Sequence, residues 1–330
     1  MIIKAFKKLK DDGLGSFLTA MGDKVRRRIQ SNALRNDNTI PLWQSVLLET
    51  ISDCNRDCWF CMRNKDRSGI RKDKYGRHTV KKMPTWKVVH VLEQLEDLGY
   101  AGRVGFHRNN EPLLDERVYG FALMAKQCGL SPYIYTNADL IRKGSQEFAD
   151  LIAECLDFIV MGQYDFSNEE ERRQDQLELT FKMRKAKKIK FSGGPRVPDV
   201  NMDEEKFKEK YECAIDDFAK QAYGKSCVEP LIRLIIRYDG EVIQCCRTDT
   251  VSIGNVYKNS IKEIWWSESH IKFVKDLSKP GNRYKYEFCK MCPSGGDYPC
   301  DIRQKINEER GAKKDYYYFT PKWIKKEVHK

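Results

Sequence analysis

No apolar run in this 330-residue chain approaches the roughly 18 consecutive residues needed to cross a bilayer. The opening stretch, MIIKAFKKLKDD, has neither the long apolar segment nor the small-residue cleavage site of a secretory signal. Both absences point to a cytoplasmic protein without a transmembrane segment. Histidine is scarce: five residues, at positions 78, 90, 107, 270 and 329, with no two at a helical ligand spacing. Any metal site must therefore be rich in thiolate, and the chain holds twelve cysteines. In a reducing compartment such cysteines bind metal or do chemistry more often than they form disulfides. Soft thiolate ligands select iron–sulfur clusters, zinc or copper(I).

The net charge of +12 sits mainly at the two ends. Residues 1–36 carry nine Lys or Arg against three Asp, a balance of +6, and residues 313–330 carry six Lys against two acids, a balance of +4. That leaves +2 for residues 37–312. A nearly neutral middle is unlike a domain that tracks a nucleic-acid backbone with a basic face, so nucleic acid is not the expected partner. The basic ends could instead attract a phosphorylated, nucleotide-linked or lipid-linked molecule, or an acidic leader peptide. Residues 1–40 read as a basic helical extension, with amphipathic helices at 2–10 and 14–35, and residues 313–330 as a basic aromatic tail.

From Ser45 short β-rich runs alternate with longer helical ones, the pattern of βαβ units around a parallel sheet. Strands are expected at Ser45–Ile51, Arg103–His107, Pro132–Thr136, Phe158–Gly162, Lys188–Ser192 and Leu231–Arg237. Helices are expected near 85–98, 115–128, 145–154, 168–187 and 203–221. The fold class is thus α/β, a partial (β/α)6 TIM-like barrel over residues 41–225, in which chemistry sits at the C-terminal ends of the strands. A second domain, residues 226–312, starts with a β-hairpin around Tyr238-Asp239-Gly240 and continues through a helix over Ser260–Leu277 to a cysteine-bearing loop.

Directly after the first strand comes Cys54-Asn-Arg-Asp-Cys58-Trp-Phe-Cys61, a CxxxCxxC arrangement. Three converging thiolates leave a fourth metal position open, whereas structural zinc is normally closed by four protein ligands. A zinc knuckle with a remote fourth cysteine is the alternative. The motif resembles the signature of the radical S-adenosylmethionine superfamily, including the aromatic residue before the last cysteine, Phe60. The resemblance implies that Cys54, Cys58 and Cys61 hold a [4Fe–4S] cluster whose open iron is chelated by S-adenosylmethionine. Reductive cleavage of that cofactor then gives a 5′-deoxyadenosyl radical that abstracts hydrogen from substrate. Two further segments at strand ends fit. Asn109-Asn110-Glu111-Pro112 is similar to the family's Gly-Gly-Glu-Pro run, with both glycines replaced, and Thr136-Asn137-Ala138 to its Thr-Asn-Gly run. They imply cofactor contacts for Glu111, Thr136 and Asn137 beside Phe60, with the Glu111 carboxylate facing the cofactor's ammonium.

Cys128, Cys155 and Cys213 lie in apolar helical stretches and read as inert buried thiols. The remaining cysteines fall in the second domain. Residues 227–295 resemble the SPASM/twitch extension of radical enzymes, which implies an auxiliary [4Fe–4S] cluster. The shorter twitch form fits better, because Cys300 follows Cys292 at the wrong spacing for a full SPASM run. The expected ligands are Cys227, Cys245, Cys289 and Cys292, with Cys246 and Cys300 as substitutes and structural zinc as the alternative.

The expected reaction is oxidation or epimerisation of a carbohydrate, aminocyclitol or nucleotide-linked small molecule, with an electron donor such as flavodoxin or ferredoxin. Peptide modification, enzyme maturation, RNA modification and a non-catalytic zinc-stabilised interaction protein are the other readings. A base near the substrate radical is sought at strand ends among His107, Tyr135, Gln163, Tyr164, Asp165 and Arg196.

Overall fold

A computed structural model describes residues 40, 42–56, 80–163, 166, 168–192, 226–227, 229–245, 251–286 and 289. The N-terminal helices, the helix at 203–221, most of the Cys289–Cys300 loop and the C-terminal tail lie outside these residues, as do Cys58, Phe60, Cys61, Tyr164, Asp165, Arg196, Cys246, Cys292 and Cys300.

Five β-rich runs become parallel strands: β1 (Ser45–Leu48), β2 (Arg103–Gly105), β3 (Ser131–Thr136), β4 (Phe158–Gly162) and β5 (Ile189–Ser192). Each steps one place along the sheet, with Val46 opposite Val104 and Thr136 opposite Met161. The sixth parallel strand, β6 (Arg233–Ile236), lies beside β1, with Val46 opposite Leu234, rather than beyond β5. Two antiparallel strands, β7 (Glu241–Ile243) and β8 (Ser252–Asn255), extend that edge, so the eight strands run 5-4-3-2-1-6-7-8. The result is an open, mostly parallel α/β sheet of partial-barrel type, and the hairpin of the second unit is continuous with it. The hairpin turns at Gly240, whose φ of +82° is a left-handed backbone that glycine adopts without steric cost.

Helices cover one face of the sheet. They are α1 (Thr85–Asp97), α2 (Val118–Gln127), the short α3 (Asp139–Lys143), α4 (Gln146–Cys155) and α5 (Glu169–Lys182). In α1 the buried residues Val88, Val91, Leu92 and Leu95 fall at three- and four-residue spacings, which makes one apolar stripe. It meets the outward residues of the strands, Val46, Leu48, Val104, Phe106, Ile134 and Ile236, in a single large core. Strand alternation sends Leu47, Tyr133, Ile235 and Ile243 to the opposite, concave face.

A four-residue helix, α6 (Glu229–Ile232), leads into β6. Beyond β8 the expected single helix over 260–277 is two, α7 (Ile261–Trp265) and α8 (Glu268–Leu277). Ser260 and Glu263 form a capping box at the first, and Ser267 caps the second by accepting from the His270 N–H, so the chain restarts at Ser267. This unit is tied to α1: Lys87 Nζ donates to the Val256 carbonyl at 2.8 Å and the Ile261 N–H donates to Gln94 at 2.7 Å. Among the described residues no helix is long and apolar enough to cross a membrane.

Candidate functional site

The C-terminal ends of β1, β2 and β3 meet at one carboxylate. Glu111 follows β2, and its backbone N–H donates to the Asp53 carbonyl at 2.8 Å, which pins it to the loop that carries Cys54. Its side chain is 2% exposed. One oxygen accepts from the Thr136 hydroxyl at 2.7 Å and from the Leu113 N–H at 3.2 Å, and the other accepts from the Asn137 N–H at 2.8 Å. Burial pushes the Glu111 carboxyl up to about 7, against the downward pull of those hydrogen bonds. The sequence places Glu111, Thr136 and Asn137 around a cofactor, and the structure brings all three together. Glu111 does so as a clamp between strand ends, with most of its acceptor capacity already used by the protein.

Asn137 carries the connection on to the cysteine loop. Its amide donates to the Asn55 side chain at 2.7 Å and approaches the Cys54 sulfur at 3.9 Å. A donor at that position favours the thiolate over the thiol, which is what a metal ligand requires. The next residue, Ala138, sits at φ +63°, so the backbone keeps the left-handed turn of a Thr-Asn-Gly run without its glycine. The Ala138 N–H donates to Thr136 Oγ1 at 3.0 Å.

Behind this layer lies an ion-pair network that the motifs do not contain. Arg56, two residues after Cys54, is bidentate to Asp139, with Nε at 2.6 Å from one carboxylate oxygen. Asn55 donates to the same carboxylate at 3.2 Å. Arg142 donates to the Asn137 carbonyl at 2.8 Å and reaches Asp175 of α5 at 2.6 and 2.9 Å. Gln163, one of the strand-end candidates, donates to Asp175 at 2.6 Å and so belongs to this network rather than to the concave face. Burial pushes the Asp139 carboxyl up, but the hydrogen bond and charge of Arg56, with Arg142 and Lys143, outweigh it and hold Asp139 below its ordinary value. Only the polar tripeptide between Cys54 and Cys58 and the acid following Ala138 hint at this pairing in the sequence.

His107 and Tyr135 project from β2 and β3 onto the concave side, with ring centroids 4.6 Å apart, and Tyr133 packs edge-on against His107 at 4.9 Å. Burial, then the charge of Arg233, hold the His107 imidazole down to about 3, so it is neutral at physiological pH. At the neighbouring edge Glu49, which follows β1, accepts from the Asn109 N–H at 3.3 Å.

In the second unit, Cys227 and Cys289 meet in one apolar cluster with Phe273, Leu277 and Tyr286. The Cys227 N–H donates to the Leu277 carbonyl at 2.7 Å and the Cys289 N–H to the Tyr286 carbonyl at 2.8 Å. Cys245 stands two residues beyond β7, which runs antiparallel to β6, so it lies towards the N-terminal ends of the parallel strands. Two thiols converging in a pocket of low polarity fit the donor chemistry of a thiolate-held cluster. Cys128 and Cys155 pack against the main core, as expected of inert thiols.

Residues 227–293 match the SPASM family model, described as an iron–sulfur cluster-binding domain. The chain is 27% identical over 258 residues to an S-adenosyl-L-methionine-dependent 2-deoxy-scyllo-inosamine dehydrogenase of Niallia circulans, covering 76% of this chain and 93% of the relative. The fold is similar to that of BtrN in complex with AdoMet and 2-DOIA, with a TM-score of 0.56 at 22% identity over 77% of this chain and 94% of that one. It is also similar to that of anSMEcpe with bound AdoMet, with a TM-score of 0.50 at 14% identity over 82% of this chain and 97% of that one. The SPASM match and the similarity along most of the chain lead to one assignment: the chain has the fold of the radical S-adenosylmethionine enzymes and carries a C-terminal SPASM iron–sulfur cluster-binding domain.

Proposed function

We propose that this enzyme oxidises a secondary alcohol of an aminocyclitol, or a closely similar amino sugar, to the ketone. The observation that carries this reading is the similarity to an aminocyclitol dehydrogenase along 93% of that relative's length. In this reading Cys54, Cys58 and Cys61 hold the first cluster, and Cys227, Cys245, Cys289 and Cys292 hold one auxiliary cluster of the twitch type. When bound, these groups and S-adenosylmethionine supply a hydrogen-abstracting 5′-deoxyadenosyl radical and an acceptor for the electron left on the substrate carbon.

The protein's own residues do the rest. Glu111 clamps the β1, β2 and β3 ends into one rigid seat, and Asn137 fixes the thiolate of Cys54. The concave face presents His107 and Tyr135 towards substrate, and Phe60, Tyr164 and Asp165 remain candidates from the sequence. A protein of flavodoxin or ferredoxin type supplies the reducing electron. A phosphorylated, nucleotide-linked or lipid-linked form of the substrate is the second reading, favoured by the +6 and +4 charge at the two ends of the chain.

The test is anaerobic incubation of reconstituted enzyme with S-adenosylmethionine, dithionite and 2-deoxy-scyllo-inosamine. The expected result is 5′-deoxyadenosine and the amino ketone in equal amounts. Formation of 5′-deoxyadenosine with no ketone would refute the substrate assignment while leaving the radical chemistry intact.

A further inference from the structure

The concave face has one aromatic corner at its strand-end mouth. Tyr135 is 38% exposed there, whereas Tyr133, two residues earlier on the same strand face, is 8% exposed. His107 is wedged against both rings. Its imidazole folds back over Gly105: a methyl group at that glycine would lie 2.6 Å from His107 Cε1 and 2.7 Å from Tyr133 Cζ, so the ring occupies space that any other residue would fill. Nδ1 is sealed from solvent without a hydrogen-bond partner among the described residues. An N–H buried with no acceptor is rarer than an unused lone pair, so the neutral ring carries its proton on Nε2. Held in place by three aromatic and glycine contacts, with one nitrogen sealed, His107 has Nε2 as its only working atom.

A hydroxylated six-membered carbocycle with equatorial substituents has two apolar C–H faces and a polar edge. Aromatic rings pack against such faces, and a fixed N–H beside the ring can read one hydroxyl on the edge. We propose that His107 and Tyr135 form the recognition wall for the substrate ring, Tyr135 covering its C–H face and His107 Nε2–H donating to one ring hydroxyl oxygen. This rests on the aminocyclitol reading and extends it by assigning the residues that select the ring. His107 is thereby a substrate-contacting donor and not the base that removes a proton, a role for which its low basicity is unsuited.

Binding to the reconstituted enzyme saturated with S-adenosylmethionine, measured by anaerobic calorimetry, tests the proposal with 2-deoxy-scyllo-inosamine and scyllo-inositol as probes. His107→Leu and Tyr135→Leu are each expected to weaken the dissociation constant about tenfold, the loss of one good contact. His107→Gln, whose amide N–H stands near the position of Nε2–H, and Tyr135→Phe, which keeps the ring, are expected to stay within about threefold of wild type. The two conservative variants separate recognition from misfolding, since a purely structural role would not rank Gln above Leu by its donor. If both Leu variants bind the probes as wild type does, the wall is refuted and the aminocyclitol reading survives. If wild type binds neither probe, the aminocyclitol reading falls and the wall falls with it.

Discussion

Two regions of this molecule carry the cysteines proposed to hold clusters, and their surroundings differ in kind. Cys54 stands in a polar lattice: Asn137 beside its sulfur, Glu111 behind Asn137, and the Arg56–Asp139–Arg142–Asp175 chain behind that. Cys227 and Cys289 stand among Phe273, Leu277 and Tyr286, where one polar link is the Tyr286 hydroxyl donating to Asp276 at 2.9 Å. A cluster that must bind a zwitterionic cofactor at an open position needs a rigid seat whose polar groups are already aligned. A cluster that only takes up an electron needs a closed, low-polarity pocket that tunes its potential. In the proposed function the same ligand chemistry serves two tasks because the second layer of residues is different.

The comparison breaks most visibly if one region is removed. Cys54→Ala is expected to abolish cleavage of S-adenosylmethionine, read as 5′-deoxyadenosine by chromatography, and to leave the auxiliary site loaded. Cys289→Ala is expected to do the opposite, forming 5′-deoxyadenosine without ketone, so the ratio of the two products rises far above one. Equal loss of both products in each variant would mean that the regions do not divide the work.

The polar lattice can be probed without touching a ligand. Glu111→Ala strands the Thr136 hydroxyl and the Leu113 and Asn137 N–H groups, at a cost of roughly 1–3 kcal/mol for each buried donor, and should lower the thermal midpoint and weaken cofactor binding. Glu111 also carries a pH signature. Its carboxyl titrates at about 7 in the fold against 4.5 ordinarily. A raised carboxyl favours the fold most when protonated, so its contribution is complete below pH 4.5 and is lost as pH rises towards 7, by roughly 3 kcal/mol in all. Unfolding at pH 5 and pH 8 should show this loss in wild type and not in Glu111→Gln. A smaller effect is expected from Asp139→Asn, which removes the charge opposite Arg56 and Arg142 and should cost about 1–2 kcal/mol, with faster cluster loss to a chelator. The smallest runs the other way. Ala138→Gly relieves a left-handed alanine and should stabilise by about 0.5–1 kcal/mol after the added freedom of the unfolded glycine is subtracted.

The strands were largely legible in the sequence because each is a short β-rich run between turn signals; Phe158–Gly162 is found as read. That Glu111, Thr136 and Asn137 come together was legible because their segments follow successive strands in the order of the family's motifs. Other features depend on contacts between distant segments, which no local pattern encodes. The pairing of β6 with β1, the direction in which Glu111 faces, and the bond between Arg56 and Asp139, 83 positions apart, are of this kind. The break between α7 and α8 was in principle visible, since Ser267 followed by Glu268 is a capping signal inside the apolar pattern.

The most direct test of a divided cysteine set is an iron and sulfide count with Mössbauer spectra on anaerobically reconstituted protein. It compares wild type with the variant in which Cys54, Cys58 and Cys61 are all changed to Ala. Two independent cubane sites require about eight irons in wild type and about four in the variant, with the spectrum of the remaining cluster unchanged. A variant that holds no iron would contradict the account, because the second unit would then be a zinc or empty site and could not take the substrate's electron.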